Sequence, residues 1–401
     1  MEDPLRRCKL HNKFGAFCYQ GGRLPNALDN FTKALALVPE GVTFTNLYFN
    51  LANVYAEQKN PEKAIEFYQK VVDNSPYRLS PPPSNIDPDF HAQGAYSESF
   101  NNLSVQYMTL NRLPEARAAC LQALELNPDA TEANVNLGNC LRQMGLRAEA
   151  VEHVWRRVAL DCARDGLEFE LPAPINCKEA EVEEWDRTAV LHVVCVKWGK
   201  KYGPEYVNKL YHGVRRFVSG VEYDFTCFTE SAEGLEEGIL VRPFAEDWTG
   251  WWGKATLFSD LGLTGRFLYI DLDTVICGDL GDLAAYTGKF LLMGTSDIYC
   301  ETAKDGFNSS IIAWPDTFGR HIYTRLKRYY KYVLKYICRF DHWLEMNIAE
   351  ADLVQAVFPA QFLDYTTYCK TAVPEGCRMI CFPREPKPHY CEAPWIGELW
   401  V

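Results

Sequence analysis

Residues 267–280 read FLYIDLDTVICGDL. The first four, Phe267 to Ile270, are apolar or aromatic and fit a strand buried on both faces. The run then sets Asp271 and Asp273 two apart, and side chains alternate along an extended chain, so both carboxylates point to the same side. Hard divalent cations take oxygen ligands, and magnesium or manganese sites commonly combine one or two carboxylates with substrate phosphates. A pair at a strand's exit offers that donor set. It equally suits a turn in which Asp273 caps local backbone donors.

The flanking sequence extends the strand into a pattern. AVLHVVCV (189–196) is a second continuous β-rich run, followed by PEYVNKLYHGVRRFV (204–218) with Tyr206, Leu210, Val214 and Phe217 at helical spacing. YDFTCFTE (223–230) and GILVRPF (238–244) read as strands, WWGKATLFSDLG (251–262) as a helix, and FLYIDLDTVI (267–276) as one strand. KFLLMGTSD (289–297) and NSSIIAWP (308–315) add two more strands. Strands separated by helices predict an α/β sheet, and such sheets bind ligands at the carboxyl ends of their strands. Asp271 and Asp273 fall at such an end.

The chain as a whole has 401 residues, long enough for two domains. Hydrophobic residues at 47% and charged residues at 23% describe a globular protein, and a net charge of −12 argues against a general nucleic-acid binder. No stretch approaches the ~20 apolar residues that span a bilayer, and MEDPLRRCKLHNKF places charges where a signal peptide needs its apolar core. The fifteen cysteines are odd in number and form no C-x-x-C pair. These features predict a cytoplasmic protein with reduced thiols.

The N-terminal half repeats. FGAFCYQGGRLPNALDNFTKALALVP (14–39) carries Gly15, Ala27, Phe31, Ala34 and Pro39, and the offsets recur as Ala52, Tyr55, Ala64, Tyr68 and Pro76. They recur again as Leu103, Tyr107, Ala116, Ala123 and Pro128, and as Leu137, Gly138, Leu141, Ala150 and Val154, with Cys162 in the proline's place. These offsets resemble the tetratricopeptide repeat of about 34 residues. Small residues let paired helices approach, aromatics fill the space between pairs, and a proline stops the second helix. The predicted organisation is a helical solenoid of four repeats over 1–165 with a proline-rich insert near 77–94, a linker over 166–187, and an α/β domain over 188–401. Such a stack has a groove that holds a peptide or partner, or it serves only to cap and stabilise the second domain.

The C-terminal half carries a second resemblance. LYIDLDTVICGDL is similar to the Asp-x-Asp region of glycogenin-like glycosyltransferases of the GT-A fold, which move sugars from nucleotide-diphosphosugars; the likeness covers roughly residues 189–395. WWGKATLF resembles the helix whose basic residue faces the donor. FNSSIIAW (307–314) resembles the segment beside the acceptor, and CFPREPKPH (381–389) the loop that closes over the diphosphate. The resemblance implies that Asp273 binds a manganese or magnesium ion and that Asp271 contacts the ribose, the ion or both. It places Lys254 near the donor, Asn308 near the donor sugar or acceptor, and Lys387 on the diphosphate. Lysine suits phosphate, and asparagine both donates to and accepts from sugar hydroxyls.

Three positions depart from the family. Its third metal ligand, a histidine, corresponds to Pro383, which leaves His389 as the nearby imidazole. The following glycine is Arg384, a candidate phosphate contact, and the acceptor-side amide segment corresponds to Ala349-Glu350-Ala351. Glu350 and Asp352 remain as candidate catalytic carboxylates or as solvated helix residues. The family retains anomeric configuration and uses the donor phosphate to help deprotonate the acceptor; an inverting reaction would instead need a base, for which Asp352 is the candidate.

Other segments are more ambiguous. GRHIYTRLKRYYKYVLKYICRF (319–340) has seven basic and no acidic residues. It reads as a solvated helix packed on a sheet, or as a surface for an anionic membrane or acceptor. GKKYGPEY (199–206) lacks the spacing of a dinucleotide site or a P-loop. Trp248, Trp251 and Trp252 suit either sugar stacking or core packing.

The expected function is transfer of a sugar from a UDP- or GDP-sugar to a hydroxyl of a protein or glycan acceptor recruited by the repeats. The alternative is a non-catalytic repeat scaffold with a degenerate transferase-like domain, and a third keeps the fold and metal for another nucleotide-activated group.

Overall fold

The computed structural model describes residues 3–39, 44–74, 93–178, 189–296, 298 and 305–401. The expected proline-rich insert, the repeat position at Pro76 and the expected start of the second domain at 188 lie wholly or almost wholly outside these residues. The chain forms two compact units, Met1–Val154 and Trp155–Val401, so residues 155–165, expected with the repeats, belong to the second.

The first unit consists of paired helices: α1 (Pro4–Gln20) with α2 (Leu24–Leu35), α3 (Thr45–Glu57) with α4 (Pro61–Asp73), α5 (Gln93–Thr109) with α6 (Leu113–Leu126), and α7 (Thr131–Gln143) with the start of α8 (Arg147–Arg164). Pro25, Pro61 and Pro114 open the second helices of three pairs, where a missing N–H costs nothing. Each pair turns through one left-handed residue two positions before its second helix: Gly22, Lys59, Asn111 and Gly145, with φ of 71°, 56°, 56° and 76°. The next backbone N–H then bonds back to the first helix, as in Arg23 to Cys18 and Leu146 to Leu141, both at 2.9 Å. Small residues set the helix spacing. Ala27, Ala64 and Ala116 are fully buried, and a Cβ on Gly15 would lie 2.5 Å from the Phe31 ring.

The second unit is a mixed α/β structure. Its strands are β1 (Ile175–Asn176), β2 (Leu191–Lys197), β3 (Tyr223–Thr229), β4 (Leu240–Arg242), β5 (Arg266–Ile270), β6 (Thr274–Ile276), β7 (Leu291–Gly294), β8 (Phe307–Pro315), β9 (Ile348–Glu350), β10 (Asp352–Leu353), β11 (Phe362–Asp364) and β12 (Met379–Cys381). Seven form one sheet in the order β10-β7-β8-β5-β2-β3-β4. Strands β5, β2, β3 and β4 are parallel, while β8 runs antiparallel to both β5 and β7. The helices are α9 (Pro204–Phe217), α10 (Gly281–Ala284), α11 (Arg320–Tyr336), α12 (Phe340–Asn347), α13 (Val354–Val357) and α14 (Pro394–Leu399). Val193, Cys195, Leu210, Val214, Phe225 and Ile270 fill the core between α9 and the sheet.

Several elements differ from the sequence reading. FLYIDLDTVI is two strands: β5 ends at Ile270 in the large sheet, the chain turns through the aspartates, and β6 pairs with β12 in a separate sheet. Residues 250–258 form a 3₁₀ helix rather than an α-helix; no side chain caps its start and nearly every residue in it is buried. GILVRPF pairs only over Leu240–Arg242, because Pro243 has no N–H to continue the ladder.

The basic helix α11 is tied down by acids of its own unit. Lys327 pairs with Glu246 at 2.5 Å, Lys331 with Asp165 at 2.7 Å, Lys335 with Asp161 at 2.8 Å and Arg320 with Asp260 at 2.9 Å. Its opposite face, including Ile322, Leu326 and Val333, is buried. That arrangement matches the packed-helix reading. Among the described residues no helix is long and apolar enough to cross a membrane.

Candidate functional site

The end of β5 positions the central pair. The Asp271 N–H makes the last cross-strand bond to the Ser310 carbonyl of β8 at 2.9 Å, and Thr274 N–H closes the turn on the Asp271 carbonyl at 3.2 Å. Between these bonds the two carboxylates leave the sheet's edge and enter a cavity of about 180 Å³. Lys254 reaches the same cavity from the 3₁₀ segment, and Asn308, Ser309 and Ser310 reach it from β8. Arg339 and Asp341 come from the start of α12, while Pro383, Arg384 and Lys387 come from the loop after β12.

Each aspartate is held by a buried lysine. Lys254 Nζ lies 2.8 Å from Asp271 Oδ1, donates to Ser309 Oγ at 3.0 Å and sits over the Tyr269 ring. Lys387 Nζ lies 2.7 Å from Asp273 Oδ2 and donates to the Phe382 carbonyl at 2.5 Å. Both lysines are more than nine-tenths buried, so without the carboxylates each would be an uncompensated charge. Two phenols complete the shell: Tyr202 donates to Asp273 Oδ2 at 2.8 Å, and Tyr269 donates to Asp271 Oδ1. Burial first, and then the neighbouring carboxylates, push both phenols well above the ordinary tyrosine range, so they stay protonated donors.

Asp271 Oδ2 and Asp273 Oδ1 carry no hydrogen bond among the described residues. Asn308 Oδ1 accepts from Ser310 N–H at 3.0 Å, which leaves its Nδ2 facing the cavity. Asp341 Oδ1 is engaged by Ser309 N–H at 2.8 Å. The lining holds four cations (Lys254, Arg339, Arg384, Lys387) against three carboxylates (Asp271, Asp273, Asp341). The lining thus carries one more basic than acidic side chain, in a chain of net charge −12.

The structure thus brings together Lys254, Asp271, Asp273, Asn308, Arg384 and Lys387. Three other candidates lie elsewhere. Glu350 is exposed on β9, and its carbonyl accepts from Cys177 N–H. Asp352 lies on the edge strand β10, which pairs with β7, and accepts from Tyr286 O–H at 2.5 Å. His389 bonds the Tyr206 hydroxyl and packs on Tyr390, outside the cavity. Among the described residues no three His, Cys, Asp or Glu side chains converge as a metal cluster. Two carboxylates, each with a free oxygen, fit a cation whose remaining ligands come from phosphate and water; His389 is not placed to join them. Of the tryptophans, Trp252 is buried, Trp248 stacks on Tyr330 at 5.0 Å, and Trp251 is 51% exposed at the cavity.

Sequence reasoning did not find Tyr202, Tyr269, Arg339 or Asp341. Tyr202 lay in a segment tested only for phosphate-loop spacing, and Tyr269 passed as a strand aromatic. Nothing local in the sequence marks Arg339.

Sequence profiles of the Tetratricopeptide repeat family match residues 6–76 and 103–157. The N-terminal portion is a tetratricopeptide array. The human protein O-mannosyl-transferase TMTC2 is 25% identical over 117 residues, 29% of this chain and 12% of the relative, so the chain spans only a small part of that protein. Among solved structures, YrrB, described as a TPR protein with an unusual peptide-binding site, is 21% identical, with coverage of 39% of this chain and 68% of its own and a TM-score of 0.29. The first TPR of Spaghetti (RPAP3), bound to an HSP90 peptide, is 18% identical, with coverage of 35% and 95% and a TM-score of 0.29. BtubC from P. vanneervenii is 18% identical, with coverage of 46% and 73% and a TM-score of 0.35.

Proposed function

We propose that the second unit is a GT-A-like glycosyltransferase that moves a sugar from a UDP- or GDP-sugar to a hydroxyl of an acceptor recruited by the repeats. The observation that carries this reading is the convergence of Asp271, Asp273, Lys254, Asn308, Arg384 and Lys387 on one cavity with an excess of cations. Sugar transfer also accords with the name of the human relative, and a cytoplasmic setting with the free thiols of the described cysteines.

Asp271 and Asp273 would hold manganese or magnesium, which when bound neutralises charge on the diphosphate. Lys254 and Lys387 stand beside those carboxylates as point charges for phosphate oxygens, with Arg384 and Arg339 as further contacts. Asn308 Nδ2 serves as a donor to a sugar hydroxyl. The one other carboxylate of the lining, Asp341, is occupied by a backbone N–H, and Glu350 and Asp352 stand outside. This suits a retaining transfer in which the donor phosphate takes the acceptor proton.

The second reading, a scaffold with a degenerate transferase domain, draws on the same geometry: both carboxylates are already neutralised by lysines, and among the described residues no third His, Cys, Asp or Glu converges with them. Calorimetry of the full chain with uridine and guanosine diphosphates, with and without manganese, separates the two. The transferase reading expects metal-dependent binding that Asp273→Ala abolishes, and hydrolysis or transfer from at least one of a panel of nucleotide-sugars. Absence of any nucleotide binding sinks it, and binding without turnover favours the scaffold.

A further inference from the structure

Three cysteines of the second unit meet just beyond the paired strands β6 and β12, at the end of that ladder away from Asp273. The Cys277 thiol lies 3.8 Å from Cys377 Sγ and donates to the Cys377 carbonyl at 3.3 Å. The third, Cys369, is hydrogen-bonded to Cys377 through its side chain. The N–H groups of Cys277 and Gly278 both bond to the Arg378 carbonyl, at 2.8 and 3.1 Å. Two residues of one segment thus oppose one of the other, as in a β-bulge, and the pairing ends with two sulfurs in contact.

None of the three lines the cavity of Asp271 and Asp273. They do not form a metal site either, since among the described residues no three His, Cys, Asp or Glu side chains converge to hold an ion. Packing accounts for Cys369, which is fully buried and behaves as a small hydrophobe. It does not account for Cys277, which is only half-buried and so leaves a path from solvent to the buried Cys377. Hydrogen bonds from the thiols of Cys277 first and Cys369 next hold Cys377 below the ordinary thiol range, against the opposing effect of burial, so Cys377 has thiolate character. A thiolate touching a second thiol that solvent can reach is the arrangement that oxidation turns into a disulfide.

We propose that Cys277 and Cys377 form a modification site, oxidised reversibly by hydrogen peroxide to a disulfide that ties β6 to β12. The Cys377 thiolate attacks one peroxide oxygen, the O–O bond breaks, and Cys377 becomes a sulfenic acid while the departing hydroxide takes up a proton as water. The Cys277 sulfur, giving up its proton, then attacks Cys377 Sγ; the S–S bond forms, the S–O bond breaks, and the second hydroxide leaves with that proton as water. Two thiols are oxidised and one peroxide is reduced to two waters. The bond spans 100 residues of chain. It staples the segment that follows the Asp271–Asp273 turn to the strand that leads into the loop of Arg384 and Lys387. The inference goes beyond sugar transfer and does not depend on it.

The test treats the full native chain with hydrogen peroxide, alkylates the remaining thiols, and maps the digest by mass spectrometry without reductant. A linked peptide pair joining residues 277 and 377 is expected, and dithiothreitol is expected to release it. Closing so long a loop restricts the unfolded chain, so the urea midpoint followed by tryptophan emission is expected to stand about 1 M higher in the oxidised than in the reduced chain. Cys277→Ser and Cys277→Ala are expected to lose both the link and the shift while matching the reduced wild type in midpoint. Cys369→Ser is expected to keep both. A link between Cys369 and Cys377 in place of the expected one overturns the proposal, as does a sulfinic acid at Cys377 with no link. So does a link that forms only in urea, or a native chain in which neither Cys277 nor Cys377 is oxidised.

Discussion

In the repeat unit the buried positions recur: Ala27, Ala64, Ala116 and Ala150 occupy one place in successive helix pairs, and each pair turns through a left-handed residue at the same position. In the second unit, buried charged and polar side chains meet partners from remote segments. Lys387 meets Asp273 across 114 residues of chain, and His192 meets Asp224 across 32. Stability is therefore spread over similar, nearby interfaces in the first unit and concentrated in single charge pairs in the second. A convenient probe separates them, because all ten tryptophans fall at residue 155 or later. Tryptophan emission reports the second unit alone.

The largest effect is expected where a charge pair is broken. Lys387→Met leaves the Asp273 carboxylate, 13% exposed, with only the Tyr202 hydroxyl as partner among the described residues. Loss of one partner of a buried pair costs about 3 kcal/mol. Urea unfolding followed by tryptophan emission is expected to show that loss, and Lys387→Met/Asp273→Asn is expected to recover much of it. A single variant within experimental error of wild type would remove the contrast between the units.

Within the repeats, the contrast can be sharpened at two glycines. A Cβ at Gly15 would lie 2.5 Å from the buried Phe31 ring, whereas one at Gly138 would meet Val154 at an ordinary 3.7 Å. Overpacking costs about 2 kcal/mol, while a helix gains about 1 kcal/mol when glycine becomes alanine. Gly15→Ala is expected to lower the midpoint of a far-UV dichroism melt, and Gly138→Ala to hold or raise it. Equal shifts would mean that the repeats relax around either change.

A smaller effect with a distinctive pH signature is expected at His192, which is buried on β2. Its Nδ1 faces Asp224 Oδ2 at 2.8 Å and its Nε2 faces the Thr264 carbonyl at 3.2 Å, so only the imidazolium can donate to both. The Asp224 hydrogen bond raises its pKa, burial opposes, and the Thr264 carbonyl adds to the rise. A raised folded pKa stabilises fully below the unfolded value of about 6.5 and loses that contribution as pH climbs through the folded pKa. The tryptophan-emission midpoint is expected to drop with rising pH in that window by about 1 kcal/mol, the scale of one such hydrogen bond. His192→Gln is expected to flatten the dependence.

The repeats were legible because close helix approach writes itself locally, as small residues at fixed offsets, and the helix pairs fall where those offsets place them. The strand before Asp271 was legible for the same local reason. Its end was not: apolar alternation carries through FLYIDLDTVI, yet the chain leaves one sheet for another at the two aspartates. Pairing of Lys254 with Asp271 and of Lys387 with Asp273 depends on folding at long range, which no local pattern encodes.

The smallest effect tests the shared turn. Lys59 sits at φ 56° where two of the other repeats use Gly22 and Gly145, and its side chain makes no hydrogen bond or ion pair among the described residues. A non-glycine residue in the left-handed region costs about 1 kcal/mol, and glycine's larger unfolded-state freedom returns part of that. Lys59→Gly is expected to stabilise the array by about 0.5 kcal/mol, seen as a small rise in the dichroism midpoint with tryptophan emission unchanged. Gly145→Lys, the reverse change at the equivalent turn, is expected to lower that midpoint by about the same amount. If the two shifts share a sign, the four turns are not interchangeable and each repeat's corner has its own constraint.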